Sequence, residues 1–403
     1  MKRVPAAKGH ALLHKEYTFM SQKIRTALLG CGNVGPTHAE ALQALPQSEF
    51  VAVGGRTREK VEDFARQYGV QAYTDFEQML VEAGVQMVVI ATPHPAHAGQ
   101  IELAAKHKVH VLVEKPLASD LADCDQAITA CEQNGVKLGV ISQRRLYEPV
   151  IRMRQAIETG KIGRPILATC TVMGWRDEAY YQSAPWRGRW DTEGGGVMVN
   201  QTPHQLDLFQ WLMGPIEELF GYWDNLNHPY VEIEDTAVAV VRFKSGALGQ
   251  ILVSNAQKPG LYGKIHIHGS NGASVGAQTE GGSPFISGVT TQIDPPLNDL
   301  WTITGEEHQL PTWQEADRQL ASQINVMTHY HKLQIEDFLQ AIIEERPPAV
   351  DGHEGRKVVE IFTAVYRSQR DRRPVKFPLT AEVGRDDYDG RLTHPLFSRR
   401  PQP

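Results

Sequence analysis

Residues 24–38 read Ile-Arg-Thr-Ala-Leu-Leu-Gly-Cys-Gly-Asn-Val-Gly-Pro-Thr-His, an apolar strand run leading straight into G-x-G-x-x-G and then a helical pattern. This order constrains the chain more than anything else in it. Gly30 permits a tight turn off the strand, Gly32 lets the backbone approach a pyrophosphate, and Gly35 lets helix and strand pack closely. The helix N-terminus then faces the negative charge. A second apolar run at 50–53 follows at about the 20-residue spacing of a dinucleotide-binding βαβ unit. The turn residues Gly30, Gly32, Asn33 and Val34 are therefore read as a dinucleotide cradle; the bland alternative is a glycine-rich turn without a ligand.

The 403 residues suffice for about two or three domains. Lys and Arg number 41 against 47 Asp and Glu, a net charge of −6, which favours solubility and gives no support for nucleic-acid binding. No apolar run approaches the length of a membrane span, so a cytoplasmic protein is expected. Cys31, Cys124, Cys131 and Cys170 form no C-x-x-C pair, leaving no zinc or redox signature and no expectation of a metal. Residues 1–19 carry Lys2, Arg3, Lys8 and Lys15 without a signal-peptide core. They read as a disordered arm, or as leader preceding a true start at Met20.

Apolar strand runs at 24–29, 50–53, 87–91, 110–113 and 137–141 alternate with helical periodicity at 58–68, 76–83, 96–106 and 121–133. Near-continuous apolar strands separated by helices predict a parallel sheet covered on both faces. Ligands on such sheets sit outside the carboxyl ends of the strands, which puts Thr92 and Pro93, and Glu114, Lys115 and Pro116, beside the glycine-rich turn. From about residue 144 the pattern changes to strand runs at 165–173, 216–222, 237–243, 247–253 and 264–268, with turns at Lys244-Ser245-Gly246 and Asn271-Gly272. Helices are expected at 148–158, near 203–212, at 333–345 and at 354–370. The predicted organisation is an N-terminal extension (1–21), a Rossmann domain (22–143), a substrate-binding and oligomerisation domain (144–375) and a polar arm (376–403). The class is α/β, with a parallel sheet followed by an open, mainly antiparallel one.

Several strings at these places resemble the Gfo/Idh/MocA family, the glucose–fructose oxidoreductase and inositol dehydrogenase group. They are Gly30-Cys31-Gly32-Asn33-Val34-Gly35 with His38, Ala91-Thr92-Pro93 with His97, Glu114-Lys115-Pro116, Gly160-Lys161-Ile162-Gly163, and Gly194-Gly195-Gly196 with Asn200, His204 and Asp207. The resemblance spans residues 22 to about 375. It implies pyridine-nucleotide redox chemistry on sugars, polyols or related molecules, with His97 and Glu114 among the residues lining the cofactor side.

Oxidising a secondary alcohol needs the carbon placed against the nicotinamide, a base for the hydroxyl proton and a group that steadies the developing alkoxide. Lys115, at a strand end beside the crevice, can polarise the substrate oxygen or relay a proton; the bland reading is a surface lysine at a proline turn. His204 opens a helix behind Pro203, and its imidazole suits proton exchange; read without the resemblance, a capping or core histidine is the better account. With the resemblance, His204 becomes the first choice for general acid/base. The sequence has Asn200 where many relatives have Asp, so a charged dyad with His204 is in doubt. Asn200 can orient His204 or the substrate, Asp207 can supply the charge, or the chemistry can depart from simple dehydrogenation.

The place where a carboxylate normally binds the ribose 2′-hydroxyl of NAD reads Gly54-Gly55-Arg56-Thr57-Arg58. Gly55 removes the repulsion toward a 2′-phosphate, and Arg56, Thr57 and Arg58 add charge and a hydroxyl, so NADP is expected over NAD. Between 175 and 190 stand Trp175, Tyr180, Tyr181, Trp186 and Trp190 with Arg176, Arg187 and Arg189. Flat rings suit pyranose faces and arginines suit hydroxyls, carboxylates or phosphates, so Trp175, Tyr181, Trp186 and Arg187, with Asn200 and His204, are expected to hold a carbohydrate; a subunit interface is the alternative. His94, Arg145 and Tyr147 are weaker candidates. Apolar alternation at 238–241 predicts a homodimer or homotetramer. Two other functions fit the residues: a redox-neutral, NAD-dependent glycosidase working by transient sugar oxidation, and a nucleotide-sensing regulator without chemistry.

Overall fold

The computed structural model describes residues 23–281 and 295–382. The expectations for residues 1–21, and for the polar arm beyond 382, lie outside the described residues.

Six strands, β1 (Ile24–Leu29), β2 (Ser48–Gly54), β3 (Gln71–Tyr73), β4 (Met87–Ile90), β5 (His110–Val113) and β6 (Leu138–Val140), form one parallel sheet in the order β3-β2-β1-β4-β5-β6. The patterning predicts all of them except β3, whose three half-exposed residues are too few to show a period. Every residue of β4 is buried, as a strand covered on both faces requires. The intervening helices are punctuated locally: Asp120 accepts from the Asp123 N–H at the start of Leu121–Asn134, and Gly135 ends it in the left-handed conformation. Strand order reverses between β1 and β4, so the crevice opens above their carboxyl ends.

The second sheet has eight strands: β7 (Pro165–Met173), β8 (Ile216–Asp224), β9 (Thr236–Phe243), β10 (Leu248–Ser254), β11 (Tyr262–Gly269), β12 (Ser274–Gly281), β13 (Leu297–Trp301) and β14 (Val375–Lys376), in the order β13-β12-β11-β7-β10-β9-β8-β14. All pairs are antiparallel except β7 with β10. The Lys244-Ser245-Gly246 turn closes β9 onto β10, with Gly246 at φ +84°. One face packs against the helices Pro203–Met213 and Gly352–Asp371. The opposite face keeps Tyr222, Val238, Val240, Leu248 and Leu167 exposed.

Two late helices join the halves. Val326–Ile343, which begins seven residues before the periodicity suggests, packs on the first helix, Gly35–Ala44, and on the turn Gln143–Leu146. Its Ile335, Phe338 and Leu339 share a core with Leu28, Leu42, Val53 and Val89 of the first half. Gly139 admits this helix, since a Cβ there would lie 2.7 Å from the Phe338 ring. Gln334 then clasps the end of β6, accepting from Ser142 N–H at 2.8 Å and donating to the Val140 carbonyl at 2.8 Å. The floor of the crevice is thus fixed by residues nearly 200 positions apart.

Candidate active site

The glycine-rich turn follows β1. Gly30 sits at φ +123°, and a Cβ there would be 2.5 Å from the Ala91 carbonyl oxygen. A Cβ at Gly35 would be 2.9 Å from the Gly30 oxygen, whereas one at Gly32 would meet nothing within 4 Å. The first and third glycines are therefore demanded by packing and the middle one by the space above it. Gly32, Asn33 and Val34 open onto a cavity of about 440 Å³ that Lys115, Asn200 and His204 also line. Thr92 and Pro93 share that lining. These features fit a dinucleotide: a bare backbone turn at a helix N-terminus receives the pyrophosphate, and the nicotinamide half reaches the cavity. When bound, the nicotinamide supplies the hydride acceptor or donor.

Lys115 follows β5, and its Nζ donates to the Asn200 backbone carbonyl at 3.3 Å. Asn200 lies in a wide π-type turn, Val197–Gln201, ahead of the helix that carries His204. Its side-chain amide donates to the Glu193 carboxylate. The expectation that Asn200 orients the imidazole is thereby corrected, because Glu193 takes its amide. The expectation that Asp207 supplies charge to His204 is corrected too. Asp207 is locked in a two-pronged ion pair with Arg145, Nε–Oδ2 2.8 Å and Nη2–Oδ1 2.6 Å, which Glu354 extends at 2.8 Å. His204 itself is buried and its Nδ1 has no hydrogen-bond partner. Burial, with Arg144 and Lys115 nearby, pushes its pKa well below the usual imidazole value. At neutral pH it is therefore an uncharged base and not a group poised at its midpoint.

Glu114 faces inward. His38 Nε2 lies 2.8 Å and His331 Nε2 3.5 Å from its Oε1, and the Lys115 backbone N–H donates to Oε2 at 3.2 Å. Burial alone would raise this carboxyl; His331 and His38 overcome that and hold it well below the carboxylate range. Among the described residues these three side chains bring their ligand atoms within 4.8 Å of one another. The 2.8 Å separation is a hydrogen bond, shorter than two ligands of one tetrahedral metal keep, so the group is a clamp on the Lys115 strand end. Nothing local in the sequence announces it, since His38 and His331 come from opposite ends of the chain.

On the substrate side Trp186 and Arg187 line the cavity, while Trp175 and Tyr181 do not. Trp175 packs against His228, and Tyr181 is buried behind Tyr180 with its hydroxyl accepting from Asn255 Nδ2 at 2.9 Å. His97 is also corrected: it is fully buried, its ring nitrogens engaging the Thr92 and Pro116 carbonyls at 2.9 and 3.0 Å, so it braces two strand ends from behind. Tyr147 stacks on Tyr330 in the interior. His94 does reach the cavity, and burial holds its pKa down to about 3. Residues without a sequence signal complete the lining, including Arg144, Tyr180, Gln201 and Asn255. Glu193, behind Asn200, accepts from Gly188 N–H at 2.6 Å, and burial raises its pKa to about 7. Only the density of aromatic and basic residues before the triple glycine hinted at this wall.

Arg56, Thr57 and Arg58 are exposed past the end of β2. A Cβ at Gly55 would lie 2.9 Å from Val61 Cγ2, so glycine here serves helix packing as well as leaving room for a ligand.

Residues 24–142 match the NAD-binding Rossmann fold of the oxidoreductase family designated Gfo/Idh/MocA, and residues 154–377 match its C-terminal alpha/beta domain. Myo-inositol 2-dehydrogenase of Thermotoga maritima is 27% identical over 361 residues, 88% of this chain and 98% of that protein. D-apiose dehydrogenase of Paraburkholderia graminis is 25% identical over 363 residues, 88% of this chain and 90% of that one. Among solved structures, the WlbA dehydrogenase of Bordetella pertussis in complex with NADH and UDP-GlcNAcA superposes with a TM-score of 0.74 at 30% identity, covering 89% of this chain and 100% of that chain.

Proposed function

Since this chain belongs to the Gfo/Idh/MocA oxidoreductase family, we propose that its cleft moves a hydride between a nicotinamide dinucleotide and a CH–OH carbon of a sugar, polyol or sugar derivative. One observation carries the reading: the open backbone at Gly32, the Lys115 ammonium and the uncharged His204 imidazole line one cavity. Residues 22–143 present the cofactor and residues 144–375 the substrate. Lys115 steadies the oxygen that becomes an alkoxide, and His204 takes the hydroxyl proton. Asn200, held by Glu193 and capping the reach of Lys115, sets the spacing between them. The cavity-lining Gln143, His204, Arg187 and Asn255 each keep a buried polar atom without a hydrogen-bond partner. Each such atom costs about 1–3 kcal/mol, and a hydroxyl-rich ligand supplies the partners. The relatives' names, inositol, apiose and a sugar nucleotide, agree with that class.

The test is a screen of inositols, aldoses, sugar nucleotides and nitrophenyl glycosides with NAD and NADP, read by the near-ultraviolet absorbance of the reduced cofactor. Net reduction with a hydroxyl substrate is expected. Nitrophenol release with no net reduction would instead favour the redox-neutral glycosidase.

NADP is the preferred cofactor in this reading, supported by the absence of a carboxylate at 54–58 and by exposed Arg56 and Arg58. Arg56→Ala is expected to weaken NADP at least tenfold relative to NAD in kcat/KM, the size of one charge-assisted hydrogen bond of about 1.5–3 kcal/mol. An unchanged NADP/NAD ratio contradicts it. Gly55→Asp is the poorer probe because of the Val61 contact.

A second copy of this chain covers the exposed sheet face. Val240 is 63% and Tyr222 67% exposed, and cross-strand neighbours Val238, Leu252 and Leu248 extend the patch. Monomers rarely leave such a face to water. Val240→Glu is expected to convert the sedimenting dimer or tetramer to a smaller species; a wild-type monomer at micromolar concentration contradicts the assembly.

A further inference from the structure

We propose that the substrate of this cleft carries an anionic group, a carboxylate or a phosphate. The inference rests on the carbohydrate reading above and narrows it. Four basic side chains, Lys115, Arg144, Arg176 and Arg187, line the cavity, while the acidic residue of the lining is Glu114, which is committed to His38 and His331 on the cofactor side. The arginines stand on the opposite wall. Arg176 and Arg187 both lie over the ring of Tyr180, at 5.2 and 4.2 Å from its centroid, so two guanidinium groups are gathered around one side chain. Arg187 is further pinned against Trp186 at 4.4 Å and bonded to the Tyr180 hydroxyl. Its nearest carboxylate oxygen, on Glu193, is 3.9 Å away, beyond hydrogen-bond reach, and its Nε is buried without a hydrogen-bond partner. Arg144 reaches the same cavity from the floor, where Gln205 Oε1 and Thr279 Oγ1 accept from it at 3.1 and 3.3 Å.

Holding several like charges in one half-buried cleft is unfavourable for the free protein. A cleft lined by one sign of charge focuses the field for the opposite sign. Rigid guanidinium forks match carboxylate and phosphate oxygens in pairs, geometry that a neutral hydroxyl cannot use as fully. Neutral polyols would gain hydrogen bonds here but would leave the charge of the wall unbalanced.

Calorimetric titration of the full chain, with NADH present, using D-glucose, D-glucuronate and D-glucose 6-phosphate tests this directly. At least one anion is expected to bind tenfold or more tightly than glucose, with affinity falling as salt rises. The two anion arms tell carboxylate from phosphate. Arg176→Gln and Arg187→Gln should each weaken that anion at least tenfold; should either variant fail to fold, the salt dependence of the wild type still decides. An anion preference below twofold, or no measurable binding of either anion, overturns the proposal. Reduction of the cofactor by neutral sugars alone would sink this inference and leave the redox reading standing, whereas tight anion binding without any turnover would do the reverse.

Discussion

Replacing His204 with alanine is expected to lower kcat for hydride transfer by roughly 10²–10⁴-fold, the range for loss of a positioned general base, with a much smaller change in KM. The imidazole is buried beside Lys115 and Arg144, which disfavour its protonated form. A depressed pKa means that the base form persists as pH falls through 6.5. The acid limb of kcat/KM should therefore lie below the ordinary imidazole value, and the limb attributable to this group should vanish in the variant. The lysine contributes differently: its ammonium stays near the Asn200 carbonyl and meets the oxygen as charge develops. Turnover of His204→Ala within tenfold of wild type would remove the imidazole from the chemistry.

Asp207→Ala is expected to cost about 3–5 kcal/mol of stability, because it leaves the Arg145 guanidinium buried with half of its pairing. Both side chains are under a tenth exposed, and Glu354 remains as the second carboxylate, which puts the expected loss at the lower end. Chemical denaturation measures it. The pH profile of the folded variant should match wild type, since Asp207 points to Arg145 and not to the imidazole. A shifted acid limb at unchanged stability would restore the charge-relay role that the spacing of Asn200, His204 and Asp207 suggested.

That pair of outcomes marks where sequence patterning stops being informative. The Rossmann half was nearly all legible, because fully buried strands and glycine-punctuated helices leave periodic, local signals; β3 escaped for want of length. In the second half the hairpins were legible from turn chemistry, while β12, β13 and the helix Leu310–Gln323 were not, their apolar residues being too sparse to set a period. Lys115, Asn200 and His204 were found through short motifs, and they do line one cavity. Their partners were not legible. Helical spacing put Asn200 and His204 on one face, but the π-type turn at Val197–Gln201 rotates Asn200 toward Glu193. His97 looked like a ligand-facing histidine because its motif borders the crevice; two backbone carbonyls with no other donor nearby claim it instead. The His38–Glu114–His331 clamp needs three separate elements to meet, which no local pattern encodes.

The measurement that bears most directly on the whole account is a crystal structure of the chain with NADH and a bound carbohydrate. The account predicts the pyrophosphate over Gly32, the nicotinamide ring in the cavity, and one substrate carbon facing it with its oxygen shared by Lys115 and His204. A dinucleotide bound elsewhere, or a substrate oxygen that reaches neither side chain, would contradict it.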